Sequence, residues 1–367
     1  MTSPRSVSRV LRQCVAVAML ALVGMLGASR ARLDASAPPL QEARSGWTAA
    51  PNIVLAIADD WSWPYAGAYG DTAISTPVFD RVAREGALFS NAFTAAPSCT
   101  PSRAAILTGQ YPHRLAQGAM LHGFLPSRFP VYPDLLEEAG YYVGYTRKGW
   151  GPGRFEPGGR TRNPAGTQFK DFAAFLASRP SKQPFVFWFG SQDPHRPYDE
   201  GSGAAAGIDL DRIEVPRHLP DTRAVRSDLA DYLAEAQRFD REVGEILERL
   251  ESAGELDNTL VVITADNGMP FPRAKANVYD AGAHMPLAIR WPGKVKAGTT
   301  VDGFVNLSDL APTFLAAAGL EPPDAMTGRS LLALAEGRDE AGRDQVFLER
   351  ERHAQVRKGN QSYPMRA

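Results

Sequence analysis

Cysteine is nearly absent from this 367-residue sequence, which holds only Cys14 and Cys99. Two cysteines exclude the multi-disulfide frameworks of small secreted domains. Charge of one sign is equally scarce, because 40 basic and 41 acidic residues leave a formal net charge of -1. This balance argues against nucleic acid or a strongly charged membrane surface as a partner. With 44% hydrophobic and 22% charged residues, the chain is typical of a globular protein with a large core.

Long apolar runs are scarce as well. The run near the N-terminus, residues 15–28, is too short for a membrane span of about 20 residues, and arginines precede it while small residues follow. This pattern predicts a secretory signal peptide over residues 1–36, a linker over 37–50 and export to the periplasm or the extracellular space, with an uncleaved anchor as the alternative. Cys14 would leave with the signal, so Cys99 would be the only cysteine of the mature chain.

Short apolar runs alternate with amphipathic stretches along the rest of the chain. Runs of this length are typical of strands that are covered on both faces. Helices are predicted between them, one capped by Thr76, beginning at Pro77 and ending at Gly86, and another over about 224–253, where apolar residues recur at helical spacing. The alternation predicts an α/β fold with a mainly parallel sheet flanked by helices, in one large domain or two modest ones. The predicted strands are 53–58, 141–145, 185–189, 260–264 and 286–291.

Polar residues follow three of these strands, where a buried core has no use for them. Asp59 and Asp60 follow the first strand. His195 lies just past the third, and Asp266 and Asn267 follow the fourth. Ligand sites of open α/β sheets form at the carboxyl ends of strands, so these side chains can converge. Carboxylate and amide oxygens suit Ca²⁺, or Mg²⁺, better than zinc. The alternative is that these residues are helix caps and turn formers.

The segment around Cys99 reads Ser-Cys-Thr-Pro-Ser-Arg. Pro101 before a helix-compatible run places Cys99 at or just before a helix N-terminus, where free amide groups and the helix dipole favour anions. Arg103 adds a guanidinium suited to a tetrahedral oxyanion. Two alternatives stay open on these residues: a small buried apolar cysteine, and a thiolate phosphatase, although that class spaces its cysteine and arginine differently. Nothing assigns a role to the nearby His113 and His122, so we expect surface or packing histidines.

This motif, with Leu-Thr-Gly following it, resembles the signature of the type I sulfatases. In that family a formylglycine-generating or sulfatase-maturing enzyme oxidises the cysteine to formylglycine and reads the positions that correspond to Cys99, Pro101 and Arg103. The resemblance extends from about Trp47 to the end and implies an alkaline-phosphatase-like fold. Within the family, the chain is most similar to heparan N-sulfatases (sulfamidases) and their bacterial relatives. The stretches that carry this similarity are 266–272, 277–279 and 362–366.

The resemblance also implies a metal centre and a nucleophile. Asp59, Asp60, Asp266 and Asn267 match the family's metal ligands, and the modified Cys99 completes the set. One hydroxyl of the hydrated formylglycine would attack sulfur while Ca²⁺ or Mg²⁺ stabilises the developing charge. Loss of a proton from the second hydroxyl would then release sulfate and regenerate the aldehyde.

Four basic residues match further site positions of the family. Arg103 would hold the nucleophile and the metal region in place, and Lys148 and Lys275 would contact the nucleophile or bind the sulfate. His195 would transfer a proton near the leaving group. Many relatives carry a histidine two residues after the first lysine, but Trp150 stands there and cannot shuttle a proton, which places more of the proton chemistry on His195.

The C-terminal end departs from the family, whose smaller C-terminal subdomain contains a short antiparallel sheet and a helix. We expect a catalytic domain over residues 51–343, with 345–349 as the last strand of the main domain. Residues 344–367 would be the start of a subdomain that is largely missing. Such a loss would expose apolar surface and remove contacts that set specificity.

Together these features predict a secreted sulfatase that hydrolyses a sulfate ester or sulfamate of a sulfated sugar, with N-sulfoglucosamine units of heparan-like glycans favoured. The expected partners are the sulfated saccharide and the maturing enzyme, without nucleic acid or a stable membrane span, and the oligomeric state stays open. One alternative is a phosphate or phosphonate ester hydrolase of the same superfamily, since the framework tolerates either tetrahedral anion. Another is a truncated, inactive protein that binds sulfated glycans.

Overall fold

The computed structural model describes residues 50–338, 342–351 and 353. The predicted signal peptide and all but residue 50 of the predicted linker lie outside the described residues. Within them, no helix is long and apolar enough to cross a membrane. The strands are β1 (Asn52–Ala58), β2 (Ala87–Phe89), β3 (Ala92–Phe93), β4 (Tyr142–Arg147), β5 (Thr167–Phe169), β6 (Phe185–Gly190), β7 (Thr259–Ala265), β8 (His284–Met285), β9 (Leu287–Arg290), β10 (Thr299–Val301) and β11 (Val305–Asn306). The helices are α1 (Pro77–Glu85), α2 (Cys99–Thr108), α3 (Tyr132–Glu138), α4 (Phe172–Ser178), α5 (Ser202–Ala205), α6 (Arg223–Ser252), α7 (Asp280–Ala283), α8 (Leu310–Ala317) and α9 (Leu332–Ala335).

Eight of the strands form one sheet in the order β10-β2-β9-β7-β1-β6-β4-β5. At its centre, β1 runs parallel to both β6 and β7, and β4 runs parallel to β6 and β5. Only β9 runs antiparallel to its neighbours β7 and β2 within the described sheet. The mainly parallel sheet is therefore confirmed, and it brings the carboxyl ends of β1, β6 and β7 to one edge.

The central strands form where the sequence has unbroken apolar runs. Every residue of β1, β6 and β7 is buried, because helices cover both faces of the sheet. On one face, Phe175 of α4 lies against Phe185 and Phe187 of β6, with ring centroids 5.5 and 4.8 Å apart. Burial of each such side chain contributes roughly 1.5–3 kcal/mol, so the apolar runs determine where the sheet forms.

Both predicted helices are present as α1 and α6, but the predicted cap of α1 is wrong. The hydroxyl of Thr76 donates to Asp80 (3.1 Å) and makes no capping bond to the helix backbone. The first free amide groups, those of Val78 and Phe79, donate instead to the carboxylate of Asp240 on α6, at 3.0 and 2.8 Å. Because this cap comes from a residue far along the chain, local sequence signals miss it.

The predicted last strand over residues 345–349 is also wrong. A single antiparallel bridge joins Arg343 to Phe304, and the described residues that follow it, 344–351, have no regular secondary structure. The backbone N–H of Glu349 donates to the carbonyl of Ala95 at 2.9 Å, away from the main sheet. Without a neighbouring ladder of backbone hydrogen bonds, this segment cannot form a strand.

Candidate active site

The polar residues that follow β1 and β7 lie together at the carboxyl edge of the sheet. The backbone N–H of Asp60 donates to Asp266 Oδ1 (3.1 Å), and Asn267 Nδ2 donates to Asp60 Oδ1 (2.7 Å). Asp59, Asp60, Asp266 and Asn267 are all buried. The parallel pairing of β1 with β7 places these residues side by side, which is why strand-end motifs distant in sequence form one cluster.

Cys99 is the first residue of α2 and lies beside this cluster. Its Sγ is 3.7 Å from Asp59 Oδ1, and the side chain is buried. Ser98 precedes the helix in an extended conformation and makes no side-chain capping bond to the first amide groups of α2. Burial raises the pKa of the Cys99 thiol to about 12. At neutral pH the unmodified side chain is therefore a neutral thiol, unlike the low-pKa cysteine of a thiolate enzyme.

Arg103 lies one turn further along α2 and has no accessible side-chain surface. Its Nε donates to Asp266 Oδ2 at 2.8 Å, and its Nη1 donates to the carbonyls of Lys148 (2.8 Å) and Gly149 (3.0 Å). Burial alone would lower the pKa of Arg103, but the nearby carboxylates raise it above its ordinary value. Nη2 lies 4.0 Å from Asp59 Oδ1. The guanidinium thus ties α2 to the ends of β4 and β7.

Two lysines neutralise the paired aspartates. Lys148 Nζ lies 2.5 Å from Asp59 Oδ2, and Lys275 Nζ lies 2.6 Å from Asp60 Oδ1. Burial would raise the pKa of Asp59, but the Lys148 ammonium and the other nearby cations hold it below its ordinary value. His195 Nε2 lies 3.9 Å from Asp60 Oδ2, and its ring is partly exposed. With Arg103, all four predicted basic residues therefore reach the aspartate pair.

The cluster offers the ligands that a hard divalent cation prefers. Ligand atoms of Asp59, Asp60 and Cys99 lie within 4.8 Å of one another. Asn267 Oδ1 is buried and has no hydrogen-bond partner among the described residues. An orphaned buried oxygen beside two carboxylates fits Ca²⁺ or Mg²⁺. Asp266 already accepts three hydrogen bonds from the protein, two from backbone N–H groups at Oδ1 and one from Arg103 at Oδ2.

A cavity of about 610 Å³ opens over Cys99. Several of its lining residues were not singled out as site residues in the sequence. His122, predicted to be a surface or packing residue, lines this cavity, whereas His113 pairs with Glu349 elsewhere. The lining residues are Asp59, Cys99, Leu121, His122, Lys148, Pro152, Gln192, Asp193, His195, Arg196, Pro197, Glu235, Arg238, Lys275 and His353.

His353 is another cavity residue that sequence reasoning missed. Its Nδ1 lies 2.8 Å from the hydroxyl of Ser98, the residue before Cys99. Burial lowers the pKa of His353 to about 4, so the ring is neutral at physiological pH. No motif marks this histidine, and only the path of the C-terminal segment brings it to the cavity.

Trp150 does not take the place of the family histidine in the cavity. The indole is 2% exposed and belongs to the hydrophobic core, and its Nε1 has no hydrogen-bond partner within the described residues. Asn163 holds the backbone of Trp150, accepting from its N–H at 3.0 Å and donating to its carbonyl at 2.9 Å. Trp150 therefore stabilises the loop after β4, which carries Lys148.

Comparison with known proteins agrees with this arrangement. The family model described as "Sulfatase" matches residues 51–159 and 161–320. This chain belongs to the sulfatase family. It is 32% identical to N-sulphoglucosamine sulphohydrolase of Homo sapiens over 362 residues, a match that covers 86% of this chain and 71% of that protein. It is 27% identical to an ulvan-active sulfatase of Formosa agariphila over 333 residues, covering 77% of this chain and only 54% of the relative.

Solved structures show the same fold. A protein in complex with its substrate D-glucosamine-2-N,6-O-disulfate superposes with a TM-score of 0.65 at 23% identity, covering 83% of this chain and 85% of the other. A phosphonate monoester hydrolase from Silicibacter pomeroyi superposes with a TM-score of 0.61 at 21% identity, covering 79% and 78%. At these identities the likeness concerns the fold alone. The predicted fold and family are confirmed, and the family places the chain among the sulfuric ester hydrolases.

Proposed function

We propose that this chain hydrolyses a sulfate ester or sulfamate of a sulfated sugar, with N-sulfoglucosamine units of heparan-like glycans favoured. The observation that carries the proposal is the position of Cys99, which begins a buried helix, contacts Asp59 and lines a cavity shared with Lys148, His195 and Lys275. The 32% identity to human N-sulphoglucosamine sulphohydrolase supports the sugar class. We assign the catalytic domain to residues 51–343 and expect export of the mature chain.

Two groups that the family implies fit this site. A divalent cation, most simply Ca²⁺, would be held by Asp59, Asp60, Asn267 and Asp266 with the modified residue 99, and would stabilise negative charge on oxygen. Formylglycine at position 99, made by a maturing enzyme, would supply a hydroxyl nucleophile in place of the thiol.

The protein's own side chains account for binding and proton movement. Lys148 and Lys275 pair with Asp59 and Asp60 and also line the cavity, where their ammonium groups can bind the anionic oxygens of a sulfate. Arg103 holds the start of α2 against β7 and so fixes the position of residue 99. His195 lines the cavity. Its Nδ1 lies 2.6 Å from the Arg196 carbonyl, so Nε2 is the nitrogen left to exchange a proton with a leaving oxygen or nitrogen.

The proposal can be tested with protein made with and without a co-expressed formylglycine-generating enzyme. Mass spectrometry of the Cys99 peptide should show conversion only with that enzyme, and sulfate release should depend on it. Cys99→Ala protein from the same co-expression is the matched control. An unmodified thiol in the presence of the maturing enzyme would favour the inactive glycan-binding alternative.

The substrate class needs a separate comparison. The matured protein should release sulfate from an N-sulfated disaccharide faster than from an O-sulfated one, and it should release sulfate from an aryl sulfate faster than phosphate from the matching aryl phosphate or phosphonate. Faster release of phosphate would show that the chain is a phosphoester or phosphonate hydrolase with a sulfatase fold. Faster release from the O-sulfated disaccharide would retain the sulfatase and overturn the sulfamidase preference.

A further inference from the structure

A charged cluster on the cavity wall has no part in the chemistry described above. Glu235 and Arg238 lie one turn apart on α6, and both line the cavity that contains Cys99. Arg238 donates through Nε and Nη2 to the two carboxylate oxygens of Asp193, at 2.7 and 2.9 Å. Arg238 also pairs with the carboxylate of Glu235. We call Asp193, Glu235 and Arg238 the α6 cluster.

The α6 cluster is held in a fixed relation to the metal-binding edge of the sheet. The carbonyl of Asp193 accepts a hydrogen bond from the backbone N–H of Asp59 at 2.9 Å. The N–H of Asp193 donates to Ser191 Oγ at 3.0 Å. Asp193 is also two residues before His195 in the loop after β6. A substrate whose sulfate group binds Lys148 and Lys275 can therefore contact the α6 cluster through the part of the molecule that bears the sulfate.

The α6 cluster differs in charge from the part of the cavity lined by the positively charged Lys148 and Lys275. The guanidinium of Arg238 is bonded to both oxygens of Asp193 and also pairs with Glu235. One guanidinium thus faces two carboxyl groups, so the cluster carries no net positive charge. Carboxyl groups accept hydrogen bonds and a guanidinium donates them, which suits neighbouring sugar hydroxyls. A second sulfate would instead meet carboxyl groups at close range.

We propose that the α6 cluster binds hydroxyl groups of the sugar that bears the scissile sulfate, and so makes the site selective for saccharides over simple sulfate esters. The proposal rests on the function proposed above and deepens it. Asp193 and Glu235 accept from the hydroxyls and Arg238 donates to them. The cluster contributes specificity and leaves the attack on sulfur to the residues around Cys99.

The test compares two substrates of the matured enzyme, a sulfated disaccharide and an aryl sulfate that has no sugar hydroxyls. Glu235→Gln keeps the shape of the side chain. Arg238→Lys keeps the positive charge that Asp193 and Glu235 face and removes the planar guanidinium, so the fold should tolerate both variants. Glu251→Gln is the matched control, because Glu251 lies on the same helix, pairs with Arg81 at 3.4 Å and lies outside the cavity lining.

For each variant, kcat/KM for the disaccharide is divided by kcat/KM for the aryl sulfate. We expect this ratio to fall about 10- to 100-fold, which is the loss expected for one hydrogen bond to a charged group. The fall should come mainly from a higher KM for the disaccharide, and the control should keep the wild-type ratio. An unchanged ratio in both cluster variants, or an equal loss on both substrates, would overturn the inference. A wild-type enzyme that releases sulfate from neither substrate would instead overturn the proposed function.

Discussion

Arg103 and Asp266 form a buried ion pair, and its disruption gives a quantitative test of how the site is built. Their Nε and Oδ2 atoms are 2.8 Å apart, and neither side chain has accessible surface. Arg103→Met would leave the Asp266 carboxylate without its bonded cation, and Asp266→Asn would leave the guanidinium with only the more distant Asp59, 4.0 Å from Nη2. Each change should lower the free energy of unfolding by about 3–5 kcal/mol. At roughly 2 °C per kcal/mol for a large domain, the thermal midpoint should fall by about 6–10 °C.

The double variant makes the test specific to the pair. Removing both charges leaves no uncompensated ion, so the double variant should cost at least about 2 kcal/mol less than the sum of the single variants. Calorimetry on protein made without a maturing enzyme would measure stability apart from Cys99 conversion. Arg338→Met is the control, because Arg338 pairs with Glu336 at 2.6 Å but is 62% exposed, and should cost no more than about 1 kcal/mol. Additivity within about 0.5 kcal/mol, or single effects no larger than the control's, would refute this account.

Four further predictions concern the metal site, Glu235, Gly190 and Trp150. EDTA should lower the thermal midpoint of the wild type and Ca²⁺ should restore it, because a ligand that binds only the folded state stabilises that state. The thermal midpoint of Asp60→Asn should change with neither addition. The pKa of Glu235 is raised from 4.5 to about 7, so its contribution to stability is full below pH 4.5 and is lost as pH rises through about 7. Denaturation measured across this pH range should therefore show a falling difference in unfolding free energy between wild type and Glu235→Gln. A constant difference would contradict this prediction. A Cβ added at Gly190 would lie 1.7 Å from the carbonyl oxygen of Lys148, so Gly190→Ala should displace this lysine. The variant should have a lower kcat and an unfolding free energy lower by about 1–3 kcal/mol. Wild-type kinetics would show that the loop can adjust. Trp150→His should cost on the order of 3 kcal/mol without raising kcat, since the side chain packs in the core, and a gain in kcat would show that position 150 reaches the substrate.

The central strands and the motif at Cys99 could be predicted from the sequence because their signals are local. A strand covered on both faces needs an unbroken apolar run, and β1, β6 and β7 have one each. The polar pair after β1 and the pair after β7 then stand at predictable strand ends. The errors arose where a distant residue decides the outcome. Asp240 caps α1 in place of Thr76, and residues 344–351 pair with no strand in the part of the chain that the structure describes.

The cavity wall lay beyond local inference for the same reason. The apolar spacing of α6 identifies the face that packs on the sheet, but it does not tell which polar residues of a 30-residue helix border a cavity. Glu235 and Arg238 become wall residues only because the loop after β6 brings Asp193 against them. His122 and His353 reach the same cavity from loops that carry no regular pattern.

The sequence by itself determined the family, the position of the buried strands and the residue types of the reactive centre, because each depends on neighbours along the chain. The tertiary structure decided which groups face Cys99 across the cavity and how their charges are balanced. Parallel pairing of β1 with β7 places Asp60 beside Asn267, and the buried Arg103 closes the cluster by reaching Asp266. Contacts between residues far apart in the chain have no local signal, so only the folded protein displays them.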